Sequence, residues 1–389
     1  MKLFMLSLVL TLASGLSAAG GPSPWITAYY AGWMQGNQWS HYLTPQEIDF
    51  SALTHIIHFS LLPRPDGTID DQANGLNQDN AKALIGAAHA AGKKVIVCLG
   101  GWNTESILAQ VTDRSVRRGF IRTLLDLVQA RGYDGVDIDW EPVSAEYEDQ
   151  YVGFITDLRE AMKKRSDTML LTAACTGNAQ LYAQVAPYVD QLNIMTYDYS
   201  GAWPGWLSWH NAALLPGDLR FPGNGKPLPS VDGAVGAFLA AGVDPHKIGI
   251  GIDFYGYVWS GGSGTSTGGV TAPGQRWSTP PSVKDNVPYH IIMDSLYKPE
   301  YYRWDSAAQA AYLSIDDDGS EHDKFVSYDD GVTCQAKLTY VVQRGLGGVI
   351  IWELGGGWRP SVTPHDPLLK SILEWSKGNQ NIGYSKNSR

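Results

Sequence analysis

Eight short apolar, β-branched runs recur along the chain, separated by stretches that mostly read as helix. They lie at 25–30 (WITAYY), 55–61 (HIIHFSL), 94–99 (KVIVCL), 135–140 (GVDIDW), 170–174 (LLTAA), 191–195 (QLNIM), 248–252 (IGIGI) and 348–352 (GVIIW). Runs this continuous suit strands buried on both faces, as in a parallel sheet covered by helices. Between them, Thr44-Pro45-Gln46-Glu47 has the form of a capping box with Pro at the first helical position. Residues 79–91 are Ala-rich and end at Gly92. In 115–130, Phe120, Ile121, Leu124, Leu125 and Val128 form one apolar face before Gly132. In 147–164, Tyr151, Phe154, Ile155, Leu158 and Met162 do the same. Further helical patterns fall near 178–187, 233–241, 331–343 and 366–377. Eight strand–helix units suit a closed (β/α)8 TIM barrel of ~250 residues plus insertions. An open doubly wound sheet is the competing fold. It usually carries a Gly-rich phosphate loop after its first strand, and Ala31-Gly32-Trp33 is not one.

Two connections are long. Residues 200–230 hold Trp203, Trp206 and Trp209 among Gly and Pro. Residues 258–305 begin Gly/Ser/Thr-rich, then carry strand-like Tyr289–Met293 and the aromatics Tyr301, Tyr302 and Trp304. The second is expected to be a small α+β insertion subdomain after strand seven. The barrel would then comprise residues 20–257 and 306–377, with a frayed tail at 378–389.

The N-terminus reads as an address. Lys2 precedes an apolar stretch from Leu3 to Leu12, and the small residues Ser17 and Ala19 fit a cleavage site after Ala19. Residues 1–19 are thus expected to be a signal peptide and the mature protein to be secreted. No later apolar run reaches the ~18 residues of a membrane span. The net charge of −10 and the lack of a Lys/Arg run argue against a nucleic-acid partner. An odd count of three cysteines, with Cys98 and Cys175 in apolar runs, points to core residues. The nine His residues show no metal-ligand spacing, so neither metal nor cofactor is expected. Asp316-Asp317-Asp318-Gly319 reads as an exposed turn. The excess of 14 Trp and 20 Tyr over 9 Phe favours rings with a polar handle, as binding clefts use.

The fourth run carries the chemistry. In Asp134-Gly135-Val136-Asp137-Ile138-Asp139-Trp140-Glu141 the side chains alternate faces. Asp137, Asp139 and Glu141 share one face; Val136, Ile138 and Trp140 share the other. In a barrel the apolar set packs against helices, so the acids point inward, toward the C-terminal end where barrel enzymes work. Like charges this close cannot all ionise easily, so at least one pKa should rise. That leaves a protonated acid beside ionised neighbours, with Glu141 nearest the strand end as the general acid.

This octad resembles the DGxDxDxE signature of family 18 chitinases. Lys93–Trp102 (KKVIVCLGGW) is similar to that family's third strand, Met195-Thr196-Tyr197-Asp198 to its sixth, and Gly347–Glu353 (GGVIIWE) to its eighth. Phe254-Tyr255-Gly256 resembles the end of strand seven and Ser327-Tyr328-Asp329-Asp330 the segment after the insertion. The motifs run in family order over residues 25–377. The resemblance implies hydrolysis of β-1,4-linked N-acetylglucosamine in chitin or its oligosaccharides with retention; the protein itself is expected to be a monomer. The mechanism implied is substrate-assisted, the family's known departure from paired-carboxylate glycosidases. Glu141 would protonate the glycosidic oxygen and later activate water. Asp139 would orient the substrate acetamide, Asp137 would exchange a proton with Asp139, Tyr197 would donate to the acetamide oxygen, and Asp198 would contact the distorted sugar. Trp352 would floor the reacting sugar and Trp102 contact the leaving side, with Tyr30, Phe59 and Met195 lining the pocket. Trp203, Trp206 and Trp209 are candidates for extending it. The resemblance also implies cis peptide bonds at His58–Phe59, Glu141–Pro142 and Trp352–Glu353. The sequence departs from the family at Cys98 (commonly Ser), Asp253 (commonly Pro), Tyr257 (often Arg) and Gly355-Gly356-Gly357 (commonly polar). The competing functions are a chitin-binding lectin on the same barrel, which typically loses the acid, and an endo-β-N-acetylglucosaminidase acting on N-glycans.

Overall fold

The computed structural model describes residues 24–35 and 43–384; the expected signal peptide, 1–19, lies outside them. The strands are β1 (Trp25–Ala31), β2 (His55–Pro63), the two-residue β3 (Ile69–Asp70), β4 (Lys94–Trp102), β5 (Gly135–Glu141), β6 (Leu170–Cys175), β7 (Gln191–Ile194) and β8 (Ile248–Asp253). They continue with β9 (Tyr255–Ser260), β10 (Ser282–Pro288), β11 (Tyr302–Asp305), β12 (Ala310–Ile315), β13 (Lys324–Tyr328) and β14 (Gly348–Trp352). Parallel pairing runs β1–β2–β4–β5–β6–β7–β8–β14 and returns to β1, which closes an eight-stranded barrel. β3 pairs antiparallel on the rim of β2. The eight barrel strands are the eight runs read from the sequence.

Strand β5 shows why the register is fixed. Val136, Ile138 and Trp140 are buried on the outer face, where Trp140 packs edge-on to Tyr151 of the helix Glu148–Arg165. Full burial of such side chains contributes ~1.5–3 kcal/mol each. A slip of one residue would exchange them for three carboxylates. The helix Arg117–Arg131 buries the five apolar residues of its expected face and ends at Gly132, whose φ of 82° is the left-handed cap glycine tolerates. The capping box at Thr44 forms, its N–H donating to Glu47 Oε2 at 2.8 Å. It starts only a single 3-10 turn, Pro45–Glu47, because Asp49 caps a new turn two residues later. All three cysteines are free and buried.

β9 to β13 form a second, antiparallel sheet in the order β10-β9-β13-β12-β11. It starts directly after β8 and extends through Tyr328, beyond the 258–305 segment expected from sequence. The two strands closing it, β12 and β13, fell in the stretch expected to belong to the barrel. Within residues 199–230 the buried stretch 207–214 packs between this sheet and the barrel, Asn211 bonding Ser327 of β13 and Asp253 of β8. Trp209 is buried there, its Nε1 donating to the Pro229 carbonyl at 2.9 Å, which removes it from any cleft wall. Trp203 is 45% exposed and meets Trp206 edge-on at 4.4 Å between centroids. The last helix, Pro367–Tyr384, runs past the 377 boundary expected for it. Among the described residues no helix is long and apolar enough to cross a membrane.

Candidate active site

The acidic face of β5 points into the barrel. Asp137 is deepest and fully buried. Thr172 Oγ1 donates to its Oδ1 at 2.6 Å and Tyr29 Oη to its Oδ2 at 3.0 Å. Pairing brings Cys98 and Thr172 level with Asp137, Gly100 level with Asp139 and Trp102 level with Glu141. Burial pushes the Asp137 carboxyl up to about 6, although hydrogen bonds from Thr172, Tyr29 and Cys98 pull it down. Asp139, one layer up, is also buried, and its Oδ1 has no hydrogen-bond partner. Burial raises its pKa well above the ordinary carboxylate range, and the charges of Glu141 and Asp137 raise it further. Glu141 stands at the partly exposed strand end. Desolvation raises its pKa too, against a hydrogen bond from Asp139 that lowers it, and the Asp198 charge adds to the rise. Asp139 and Glu141 therefore titrate as a pair, both above the ordinary carboxylate range.

The segment after β7 supplies the opposite wall. Tyr197 is buried and meets Tyr255 edge-on at 5.9 Å. Its ring passes Gly251, where a Cβ would lie 2.6 Å from the tyrosine, so β8 carries glycine at that point. Asp198 adopts a left-handed φ of 59°. Its Oδ1 accepts from Tyr255 Oη at 2.5 Å and its N–H donates to Asn211 Oδ1 at 3.1 Å. Burial raises the Asp198 pKa, partly offset by hydrogen bonds from Tyr255 and Tyr257.

Aromatic rings surround the carboxylates. Trp352 meets Phe59 edge-on at 4.7 Å and Tyr29 at 5.3 Å. Met195 packs between Trp352 and the Tyr197–Tyr255 pair. Gly101, at φ 122°, passes so close to the Phe59 ring that a Cβ would lie 2.9 Å from it. Trp102 stands at the rim, 71% exposed.

One expected pocket residue is elsewhere. Tyr30 faces outward, fully buried in the layer between barrel and helices, its hydroxyl donating to the Leu43 carbonyl. Its neighbour Tyr29 faces inward and takes the place expected of it. Alternation held the signal, because inward Thr27, which donates to Gln191 Oε1 at 3.1 Å, is two residues from Tyr29. Trp33, edge-on to Phe59 at 5.6 Å, was also missed, as were Thr172 and Asn211. Cis bonds occur at Glu141–Pro142 and Trp352–Glu353, whereas the one expected at His58–Phe59 falls a residue later, at Phe59–Ser60.

A closed (β/α)8 barrel with stacked acids at the C-terminal end of one strand has the architecture of a barrel enzyme. The chain belongs to glycosyl hydrolases family 18, whose sequence model matches residues 26–357. Chitinase A1 of Niallia circulans is 32% identical over 294 residues, covering 68% of this chain and 40% of that protein. Chitotriosidase-1 of Mus musculus is 25% identical over 362 residues, covering 86% and 73%. Two further curated relatives are spanned over only 16% and 50% of their length. The fold is shared with the crystal structure of Ostrinia furnacalis Group IV chitinase, with a TM-score of 0.77, 23% identity, and coverage of 91% of this chain and 100% of that one.

Proposed function

We propose that this protein is a secreted chitinase that cleaves β-1,4 linkages between N-acetylglucosamine units with retention of configuration. The observation that carries this reading is the column Asp137–Asp139–Glu141. Its top member is accessible and proton-retaining, and its middle member offers a buried, unpartnered oxygen. Family membership and relatives named as chitinases support the substrate class. The charged, apolar, then small-residue N-terminus supports export.

Glu141 gives its proton to the glycosidic oxygen as that bond breaks. The acetamido oxygen of the sugar itself attacks the anomeric carbon, forming a cyclic oxazolinium ion. Asp139 turns its free oxygen to the acetamide nitrogen and stabilises the positive charge, sharing protons with Asp137 below. Tyr197 donates its hydroxyl to the acetamide oxygen, and Asp198 contacts the distorted sugar. Glu141 then takes a proton from water, which opens the ring from the face the leaving group left. Trp352 lies under the reacting sugar, Phe59 and Met195 border it, and Trp102 stacks on the leaving side. The wall built by the second sheet favours chains longer than a disaccharide.

The test is incubation of the protein and its Glu141→Gln variant with N-acetylglucosamine oligomers, following product anomers by NMR. The variant should lose ~10²–10⁴-fold in rate, and the first product should be the β-anomer. Equal rates would remove Glu141 from its role. Binding without cleavage by the unmodified protein would favour a lectin.

A further inference from the structure

A second buried polar cluster lies behind the active site and is joined to it through one asparagine. Lys337 reaches inward from the helix Gly331–Gln343 and is fully buried. It pairs closely with Asp329, just past β13, and at 3.5 Å with Asp253 Oδ1 at the end of β8. The other oxygen, Asp253 Oδ2, accepts from Asn211 Nδ2 at 2.5 Å. Lys337 thus faces two carboxyl groups, and Asp253 Oδ2 is the oxygen turned to the asparagine. The asparagine therefore presents its NH2 group to Asp253. Its amide oxygen is then forced toward Asp198, whose N–H donates to it at 3.1 Å. The Asn211 backbone is pinned as well. Its N–H donates to Ser327 Oγ at 2.7 Å, and its carbonyl accepts from the Tyr199 N–H at 3.0 Å. Asp198 needs such a hold, since its φ of 59° is a conformation that a non-glycine residue rarely keeps unaided.

We propose that Asn211 and Asp253 are positioning residues: the Lys337-anchored carboxylate of Asp253 sets the orientation of the Asn211 amide, and that amide holds Asp198 toward the sugar site. The inference rests on the reading of Asp198 as part of the active site. It adds a role for Asp253, which stands where the resembling family commonly has Pro, and it links the second sheet and the barrel's outer helix to the catalytic wall.

The test is a charge-exchange cycle in the full chain, with kcat and KM measured separately on N-acetylglucosamine oligomers. Asp253→Asn is nearly isosteric and leaves Lys337 paired with Asp329, but it exchanges the charged acceptor at Asn211 Nδ2 for a neutral amide and so loosens the hold on Asn211. It should lower kcat about tenfold with KM almost unchanged, the mark of a displaced group rather than lost binding. Asn211→Asp sets two carboxylates against each other and should lower kcat about a hundredfold. The double variant, Asn211→Asp with Asp253→Asn, restores one donor facing one carboxylate and an acceptor facing the Asp198 N–H. It should recover to within about threefold of the unmodified protein, a non-additivity that independent sites do not show. Thermal melting of each variant separates folding loss from this pattern. A double variant that melts like the parent yet is as slow as the poorer single overturns the proposal, as does Asp253→Asn with unchanged kcat. Glu141→Gln is assayed alongside. If it matches the unmodified protein, the catalytic reading fails and this inference with it; if it is dead while Asp253→Asn is normal, only the inference fails.

Discussion

Replacing Tyr29 by Phe removes one oxygen from the barrel interior and leaves the ring against Phe59 and Trp352. The oxygen lost is a donor, 3.0 Å from Asp137 Oδ2 and buried with it. Burial alone would push Asp137 higher than the value of about 6 it holds, and the donors Thr172, Tyr29 and Cys98 restrain it. A hydrogen bond to a charged group is worth ~1.5–3 kcal/mol net, and one pKa unit corresponds to ~1.4 kcal/mol. Losing Tyr29 should therefore raise the Asp137 pKa by roughly one to two units. Asp137, Asp139 and Glu141 share charge, so the change appears in the macroscopic acid limb of the activity profile rather than in one residue. The assay is kcat/KM for an N-acetylglucosamine tetramer between about pH 4 and about pH 9, read as the free-enzyme profile. The acid limb should move up by about one unit, with the plateau rate retained within several-fold. An acid limb that stays in place, or moves to lower pH, would refute the assignment of Tyr29 as a restraint on the column.

The same logic gives Cys98→Ser the opposite sign: a hydroxyl donates more strongly than a thiol, so the Asp137 pKa should fall and the acid limb move down in that assay. Trp102→Ala removes an exposed rim ring, so calorimetric stability should change by less than ~0.5 kcal/mol while KM for the tetramer rises several-fold. Asp366, largely buried, is pushed up to about 7 by burial, although the Leu369 and Leu368 N–H groups restrain it. A folded-state pKa above the unfolded one stabilises fully below the unfolded value and loses that contribution as pH rises through about 7. Asp366→Asn should thus gain in melting temperature relative to the parent as pH rises from about 5 to about 8. The comparison is made against the parent at each pH, because His58, pulled down to about 3 by burial, carries the opposite linkage. A variant-minus-parent difference that is flat with pH would show that Asp366 ionises freely in the fold.

The barrel was legible because each strand is buried on both faces and each long helix on one, so hydrophobic period and length alone mark them. Helix 117–131 could be read to its terminal glycine, since its face, cap and stop are all local. The acid column was legible for the same reason: Val136, Ile138 and Trp140 fix which way Asp137, Asp139 and Glu141 must point. Tyr30 lies near a strand end as a pocket residue would, yet the Thr27–Tyr29 alternation turns it outward, to the Leu43 carbonyl. The second sheet was only half legible, because β13 pairs with the distant β9, Tyr328 opposite Gly256, while β12 joins the sheet only through its neighbours β13 and β11.

What sequence could not supply is the set of contacts that make the acids work. Asp198 touches Asn211 across thirteen positions, Asn211 meets Asp253 across forty-two and Lys337 meets Asp253 across eighty-four. No periodicity encodes such distances. Yet the identity of the residues constrains them once the fold is known. A lysine without exposed surface must have a carboxylate, and a second carboxylate beside it must find a further donor. Asn211 is that donor, and its remaining oxygen is the group available to hold a strained aspartate. The carboxylates of β5 are thus placed by the local pleat of one strand, while the wall that faces them is placed by charge balance between elements far apart in the chain. Substitutions on β5 should act through the proton, and substitutions in the Asp253 cluster through geometry. Activity lost at both places would carry different signatures, a moved pH limb in the first and a lowered kcat at constant KM in the second.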